Sequence, residues 1–226
     1  MAGLEVVFFD LDGTLVDSSR DIVSSVNHML SSMGLPERPY DEVISYIGGG
    51  VVELLSDALG DGNGQRLEEA RNVFREYYGR HCLDTTALYP GVRDTLPLLG
   101  RHRVIVTNRS RASAEKTLRT LGVGEYFSDI IGGDDENCLK PSACPINKAL
   151  VGGMRKEKCL MVGDMDVDIK AGKAAGIMTC GVTYGIGDKG KMIDADPDFI
   201  VDEFSDICKI VRQGGRYGDG DKFQGR

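Results

Sequence analysis

Tryptophan is absent from this sequence, and histidine occurs only three times, at His28, His81 and His102. The three are isolated from one another, so each is expected to be structural or solvated rather than a metal ligand or a general base. No run approaches the ~18 consecutive apolar residues that span a bilayer. The opening MAGLEVVFFDLDG has no basic stretch and no cleavage site, so no signal peptide is expected. Excess positive charge is lacking too: 27 Lys and Arg stand against 35 Asp and Glu, for a formal charge of −8. That balance argues against a general nucleic-acid surface, which needs clustered cations. It leaves room for a small anionic substrate, because a few local cations reverse the field inside a cleft. Cys82, Cys138, Cys144, Cys159, Cys180 and Cys208 form no CxxC pair and no finger-like spacing with histidine. Structural zinc and a disulfide framework are therefore not expected. The cysteines read as small buried hydrophobes in a reduced, cytoplasmic setting.

What is present suits a globular protein. The 226 residues are 41% hydrophobic and 27% charged, enough for one large or two unequal domains. LEVVFF (4–9), RVIVT (103–107), DII (129–131), CLMVG (159–163) and MTCGV (178–182) are short, apolar runs that read as buried strands. Helical patterns lie between the later ones: RASAEKTLRTLG, CPINKALVGG and VDIKAGKAAG, the first and last closed by Gly122 and Gly176. Strands alternating with helices predict an α/β fold, a doubly wound (Rossmann-like) parallel sheet covered on both faces. The interval 17–86 breaks the alternation. Ile22, Val23, Val26, Met29, Leu30 and Met33 recur at helical spacing, further helical patterns follow, and no strand-like run appears. The expected organisation is a core over 1–16 and 87–212, a small all-helical insert over 17–86, and a flexible tail over 213–226.

In open parallel sheets, ligands bind at the carboxyl ends of the strands. This chain places Asp10 and Asp12 after the first strand, Thr107 and Asn108 after the second, Lys140 after the third, and Asp164 and Asp168 after the fourth. Asp10, Asp12 and Asp164 in one pocket could not all stay charged without a cation. Hard oxygen donors of this kind suit Mg²⁺. Two glycine clusters are set apart from this. GIGDKG (185–190) fits GxGxxG, but no convincing helix follows, so it reads as a loop. The run Gly48-Gly49-Gly50 opens a helix near Val51, and its free N–H groups could meet a substrate anion.

DLDGTLVDS, VTNRS, KPSACP and VGDMDVDIKAGKAAG, in this order, resemble the four motifs of the haloacid-dehalogenase superfamily, over roughly residues 4–212. The insert resembles that family's small helical cap. VDSSRDIVSSVNHMLSSMGLP, YIGGGVVELL and LYPGVRDTL are similar to phosphoglycolate phosphatases. The resemblance implies a Mg²⁺-dependent phosphomonoesterase, with 2-phosphoglycolate as the expected substrate. It implies Asp10 as nucleophile and Asp12 as acid and base. The metal would be held by Asp10, the Asp12 backbone carbonyl and Asp164, with Asp168 second in line. The phosphoryl oxygens would meet Thr107, Asn108 and Lys140. Thr14 and Gly49 join the expected substrate contacts. Two departures stand out: an additional acid, Asp166, and Arg109 where many relatives carry Lys, either a phosphate contact or a solvent-facing side chain. A sugar-phosphate phosphatase or mutase of the same family is the alternative. No Lys lies between Asp17 and Ala87, against the Schiff-base lysine of phosphonate hydrolases. A phospho-accepting receiver domain is the alternative from another class. Nothing here separates a monomer from a homodimer.

Overall fold

The computed structural model describes residues 3–60, 63–100, 102–150 and 154–214. The expected tail therefore lies, beyond Gly214, outside the described residues. The chain opens with β1 (Val6–Phe9) and a two-residue strand β2 (Val16–Asp17), then runs through four helices: α1 (Ser19–Ser32), α2 (Tyr40–Ile44), α3 (Val51–Leu59) and α4 (Leu67–His81). It returns through β3 (Ala87–Leu88) and α5 (Val92–Thr95), then alternates β4 (His102–Val106), α6 (Arg111–Thr120), β5 (Asp129–Ile131), α7 (Cys144–Ala149), β6 (Cys159–Gly163), α8 (Asp166–Ala175), β7 (Met178–Val182), α9 (Lys189–Asp194), β8 (Phe199–Val201) and α10 (Ile207–Gln213).

Six of these strands form one parallel sheet in the order β5-β4-β1-β6-β7-β8. Period-two alternation explains the near-continuous apolar runs, because both faces are covered. Val7 and Phe9 of β1, Ile105 of β4 and Leu160 and Val162 of β6 enter one core cluster. Val6 and Phe8, Val104 and Val106, and Cys159 and Met161 enter the cluster on the other face. The α/β expectation holds, with one strand more than the sequence indicated: β8 completes the sheet edge. The helices between β2 and β3 surround a third cluster of their own, including Val26, Met29, Leu55, Phe74 and Tyr78.

Strands β2 and β3 were not expected. They pair antiparallel, Val16 opposite Leu88 and Asp17 opposite Ala87, so the chain leaves and re-enters the core side by side. Asp21, near the start of α1, braces this crossing. Its carboxylate accepts from Thr85 N at 3.0 Å, Thr85 Oγ1 at 2.7 Å, Thr86 N at 2.9 Å and Thr86 Oγ1 at 2.7 Å. Burial alone would raise its pKa, but the Thr85 and Thr86 hydrogen bonds outweigh that and hold it below the ordinary value. Its stabilisation is therefore present at neutral pH and lost on acidification. Asp21→Ala strands four donors, the two on Thr86 buried, and a loss of about 2–4 kcal/mol is expected. A melting curve should show Tm roughly 5–15 °C lower; an unchanged Tm would remove this brace.

Candidate active site

Two strand ends and the first turn of a helix deliver carboxylates to one place. Asp10 follows Phe9 at the end of β1, Asp164 follows Gly163 at the end of β6, and Asp168 lies in the first turn of α8. One oxygen of each lies within 4.8 Å of the other two, and all three residues are buried. The chain can come this close only where side chains are missing. Gly13 has φ +87°, and a Cβ there would sit 2.1 Å from Asp164 Oδ2. A Cβ on Gly185 would sit 2.3 Å from Asp164 Cβ. These two glycines let the loops after β1 and β7 close over the same carboxylate.

Among the described residues, Lys140 is the cation inside the cluster. Its Nζ lies 2.6 Å from Asp10 Oδ1 and 2.7 Å from Asp168 Oδ1, with the residue 3% exposed. Burial alone would lower its pKa, but Asp10 and Asp168 reverse that and keep it an ammonium. One ammonium does not balance three carboxylates. Burial pushes Asp10 well above the usual carboxylate value; Lys140 opposes the rise, and Asp168 and Asp164 add to it. Burial and then Asp168 push Asp164 up to about 7, against the Gly187 N–H and the Thr14 hydroxyl.

Asp164 and Asp168 both have protein partners on each oxygen. Asp168 Oδ1 takes Lys140, and Oδ2 accepts from Met165 N at 3.0 Å. Asp164 is oriented by Thr14 Oγ1 at 3.0 Å, Ile186 N at 3.0 Å and Gly187 N at 2.9 Å. These carboxylates are hard oxygen donors with surplus negative charge, a set that suits a divalent cation. Asp168 holds Lys140 beside Asp10. Asp166 stands apart, paired with Lys170. The side chain of Asp12 also lies outside the three-carboxylate group, which leaves its backbone carbonyl as the donor it could offer.

Above the carboxylates lies a cavity of about 630 Å³, lined by Asp10, Asp12, Thr107, Asn108 and Lys140 from the sheet side. Helix α4 lines the opposite side with Arg71, Phe74, Arg75 and Tyr78. The Asn108 side chain fastens two walls together. Its Nδ2 donates to Gly48 O at 2.8 Å and Lys140 O at 2.9 Å, and its Oδ1 accepts from Lys140 N at 2.9 Å. Thr107 accepts from Arg109 N through Oγ1 at 3.1 Å.

Two expected substrate contacts are placed differently. Thr14 is fully buried and spends its hydroxyl on Asp164 rather than on the cavity. Gly48 and Gly50 line the cavity, while Gly49 between them does not. The structure also overturns the reading that no cysteines pair. Cys138 and Cys144, six residues apart, form a disulfide with Cα atoms 5.2 Å apart. The loop carrying Lys140 doubles back on itself, a closure that spacing alone does not announce. The reading of GIGDKG (185–190) as a loop with no helix after it is also corrected: α9 begins at Lys189, and before it the Ile186 and Gly187 N–H groups orient Asp164. The free-standing GxGxxG there was a signal of close backbone approach, but to a carboxylate rather than to a dinucleotide.

Comparison with known proteins sets this geometry in context. The sequence profile of the haloacid dehalogenase-like hydrolases matches residues 7–182. The phosphoglycolate phosphatase of Aquifex aeolicus (strain VF5) is 39% identical over 212 residues, 92% of this chain and 97% of that protein. That of Haemophilus influenzae (strain Rd) is 33% identical over 220 residues, 92% of this chain and 98% of its own. The crystal structure of a predicted phosphoglycolate phosphatase from Haemophilus somnus 129PT superposes with a TM-score of 0.87 at 32% identity, covering 93% of this chain and 99% of that one.

Proposed function

The chain belongs to the haloacid dehalogenase-like hydrolases, and from that premise we propose that this phosphatase hydrolyses 2-phosphoglycolate with Mg²⁺ as its cation. The observation that carries the reading is the meeting of Asp10, Asp164, Asp168 and Lys140 beneath one cavity. The family match sets the receiver-domain alternative aside.

In this mechanism a carboxylate oxygen of Asp10 attacks phosphorus while the ester P–O bond breaks. Asp12 gives its proton to the departing oxygen, then takes one from the water that attacks the phosphoaspartyl group. Phosphate leaves and Asp10 is restored. Splitting one displacement into two lowers each barrier, and acid–base assistance of this kind contributes about 10²–10⁴-fold. Lys140 balances the phosphoryl oxygens from beside Asp10, and the Thr107 hydroxyl and Asn108 backbone N–H face the same group. Mg²⁺, held by Asp10, Asp164 and the Asp12 carbonyl, would neutralise charge on the phosphoryl oxygens when bound. The protein is proposed to be a cytoplasmic monomer or homodimer; no helix among the described residues is long and apolar enough to cross a membrane.

For the substrate carboxylate, Arg75 is the best-placed cation. It lines the cavity and has no ion-pair partner among the described residues. Arg71 beside it is already neutralised by Glu136 at 2.8 Å. Arg20 lies outside the cavity lining. A panel of phosphate esters ranked by kcat/KM tests the assignment: 2-phosphoglycolate should lead. Arg75→Gln should lower its kcat/KM about tenfold, the loss of one charge-assisted hydrogen bond. Ethyl phosphate, which has no carboxylate, should be unaffected. Equal losses on both esters would take Arg75 out of substrate selection.

A further inference from the structure

Arg109 does not face solvent: its side chain is 6% exposed. The guanidinium joins three parts of the molecule. Nη2 lies 2.8 Å from Asp12 Oδ1, on the loop after β1, and also donates to the Tyr78 hydroxyl on α4. Nη1 donates to Thr117 Oγ1 on α6 at 2.9 Å. The guanidinium carbon lies 5.2 Å from the Tyr78 ring centroid, a cation–π distance. Tyr78 is itself seated by stacking on Phe74, 5.1 Å between centroids. Ser18 donates its hydroxyl to the same Asp12 oxygen that Arg109 holds. Asp12 Oδ1 is thus engaged twice, whereas Oδ2 has no partner among the described residues, and Asp12 lines the cavity.

We infer that Arg109, seated by Tyr78 and Thr117, is a positioning residue that fixes which oxygen of Asp12 handles the proton. Oδ1 is the anchored oxygen and Oδ2 the working one. This rests on the acid–base reading of Asp12 given above. Oδ2–H passes its proton to the ester oxygen as the P–O electron pair departs with that oxygen. Oδ2 then accepts a proton from the water whose oxygen bonds to the phosphorus of the phosphoaspartyl group. Without the anchor, the carboxyl rotates about its Cβ–Cγ bond and the proton is no longer presented along one line. Because Tyr78 belongs to α4, the anchor is complete only with that helix docked on the sheet. Lysine cannot replace arginine here, since one ammonium does not span Asp12, Tyr78 and Thr117 together.

Two small esters that lack a carboxylate separate positioning from support of the fold. Ethyl phosphate expels an alkoxide that needs a proton, and acetyl phosphate expels acetate, which does not. The ratio kcat/KM reports the steps through leaving-group departure. Arg109→Lys should lower it on ethyl phosphate by about 10–100-fold, as a misplaced catalytic group does, and on acetyl phosphate by less than about threefold. Tyr78→Phe, which keeps the ring and removes the hydroxyl, should act in the same direction with a smaller loss, and it serves if the lysine variant does not fold. Equal losses on the two esters in both variants would overturn the inference. Asp12→Asn is the control: if it too fails to distinguish the esters, the acid role of Asp12 falls. If it distinguishes them and the Arg109 and Tyr78 variants do not, only the anchor falls.

Discussion

Asp10→Asn will release phosphate from 2-phosphoglycolate on the order of 10⁴-fold more slowly than the wild-type protein, or slower still. An amide oxygen cannot form the acyl-phosphate bond, so the variant is left with positioning and charge alone, and losing a nucleophile removes the two-step route as a whole. Folding should be little affected. Lys140 keeps Asp168 at 2.7 Å, and the substitution removes one member of a buried group that carries surplus negative charge. Steady-state phosphate release alongside a thermal melt checks both halves. Substantial remaining turnover in a folded Asp10→Asn protein would end the covalent mechanism.

The second large effect couples metal, pH and stability through Asp164. Its folded pKa stands at about 7 against an ordinary 3.8, with burial the first cause and Asp168 the second. An acid raised by folding favours the folded state while protonated and penalises it once ionised. Stability is therefore fully present below about pH 4 and drains away as pH rises towards 7, by up to about 4 kcal/mol from this group. Asp10, raised for the same reason, acts in the same direction. A divalent cation reverses the penalty where the carboxylates are ionised. Millimolar Mg²⁺ should raise the Tm of EDTA-treated protein by roughly 4–8 °C at pH 7.5 and much less at pH 5. Chelation should remove most of the phosphatase activity at the higher pH. Asp164→Asn should abolish the Mg²⁺-dependent rise and melt higher than the wild type in EDTA at pH 7.5. A Mg²⁺ effect of equal size at both pH values, or one that survives Asp164→Asn, would place the cation elsewhere.

The sheet was legible because its central strands are buried on both faces, which writes them as unbroken apolar runs such as CLMVG and MTCGV. β2 and β3 are two residues each; runs so short hold no period to read. In the site, the groups legible in sequence were those that strand ends project directly, Asp10, Thr107 and Asp164. What escaped was the company each keeps across long sequence separations. Thr14 holds Asp164 across 150 residues, and Arg109 meets Tyr78 across 31. Neither pairing leaves a mark in local pattern, because a threonine or an arginine looks the same whether it faces substrate or another side chain. The Cys138–Cys144 bond escaped for a related reason: the turn that joins them, with Lys140 between them, carries no spacing signature.

The antiparallel ribbon of β2 and β3 gives the molecule a doorway. The segment from 18 to 86 goes out and comes back through neighbouring positions of the backbone, Asp17 facing Ala87. An excursion of different size or charge could pass the same threshold without moving a strand of the sheet, provided it still meets Arg109 and Asn108 as Tyr78 and Gly48 do. Bond-making to phosphorus and the choice of molecule admitted, as proposed above, lie largely in separate stretches of the chain, joined where Tyr78 meets Arg109 and Gly48 meets Asn108.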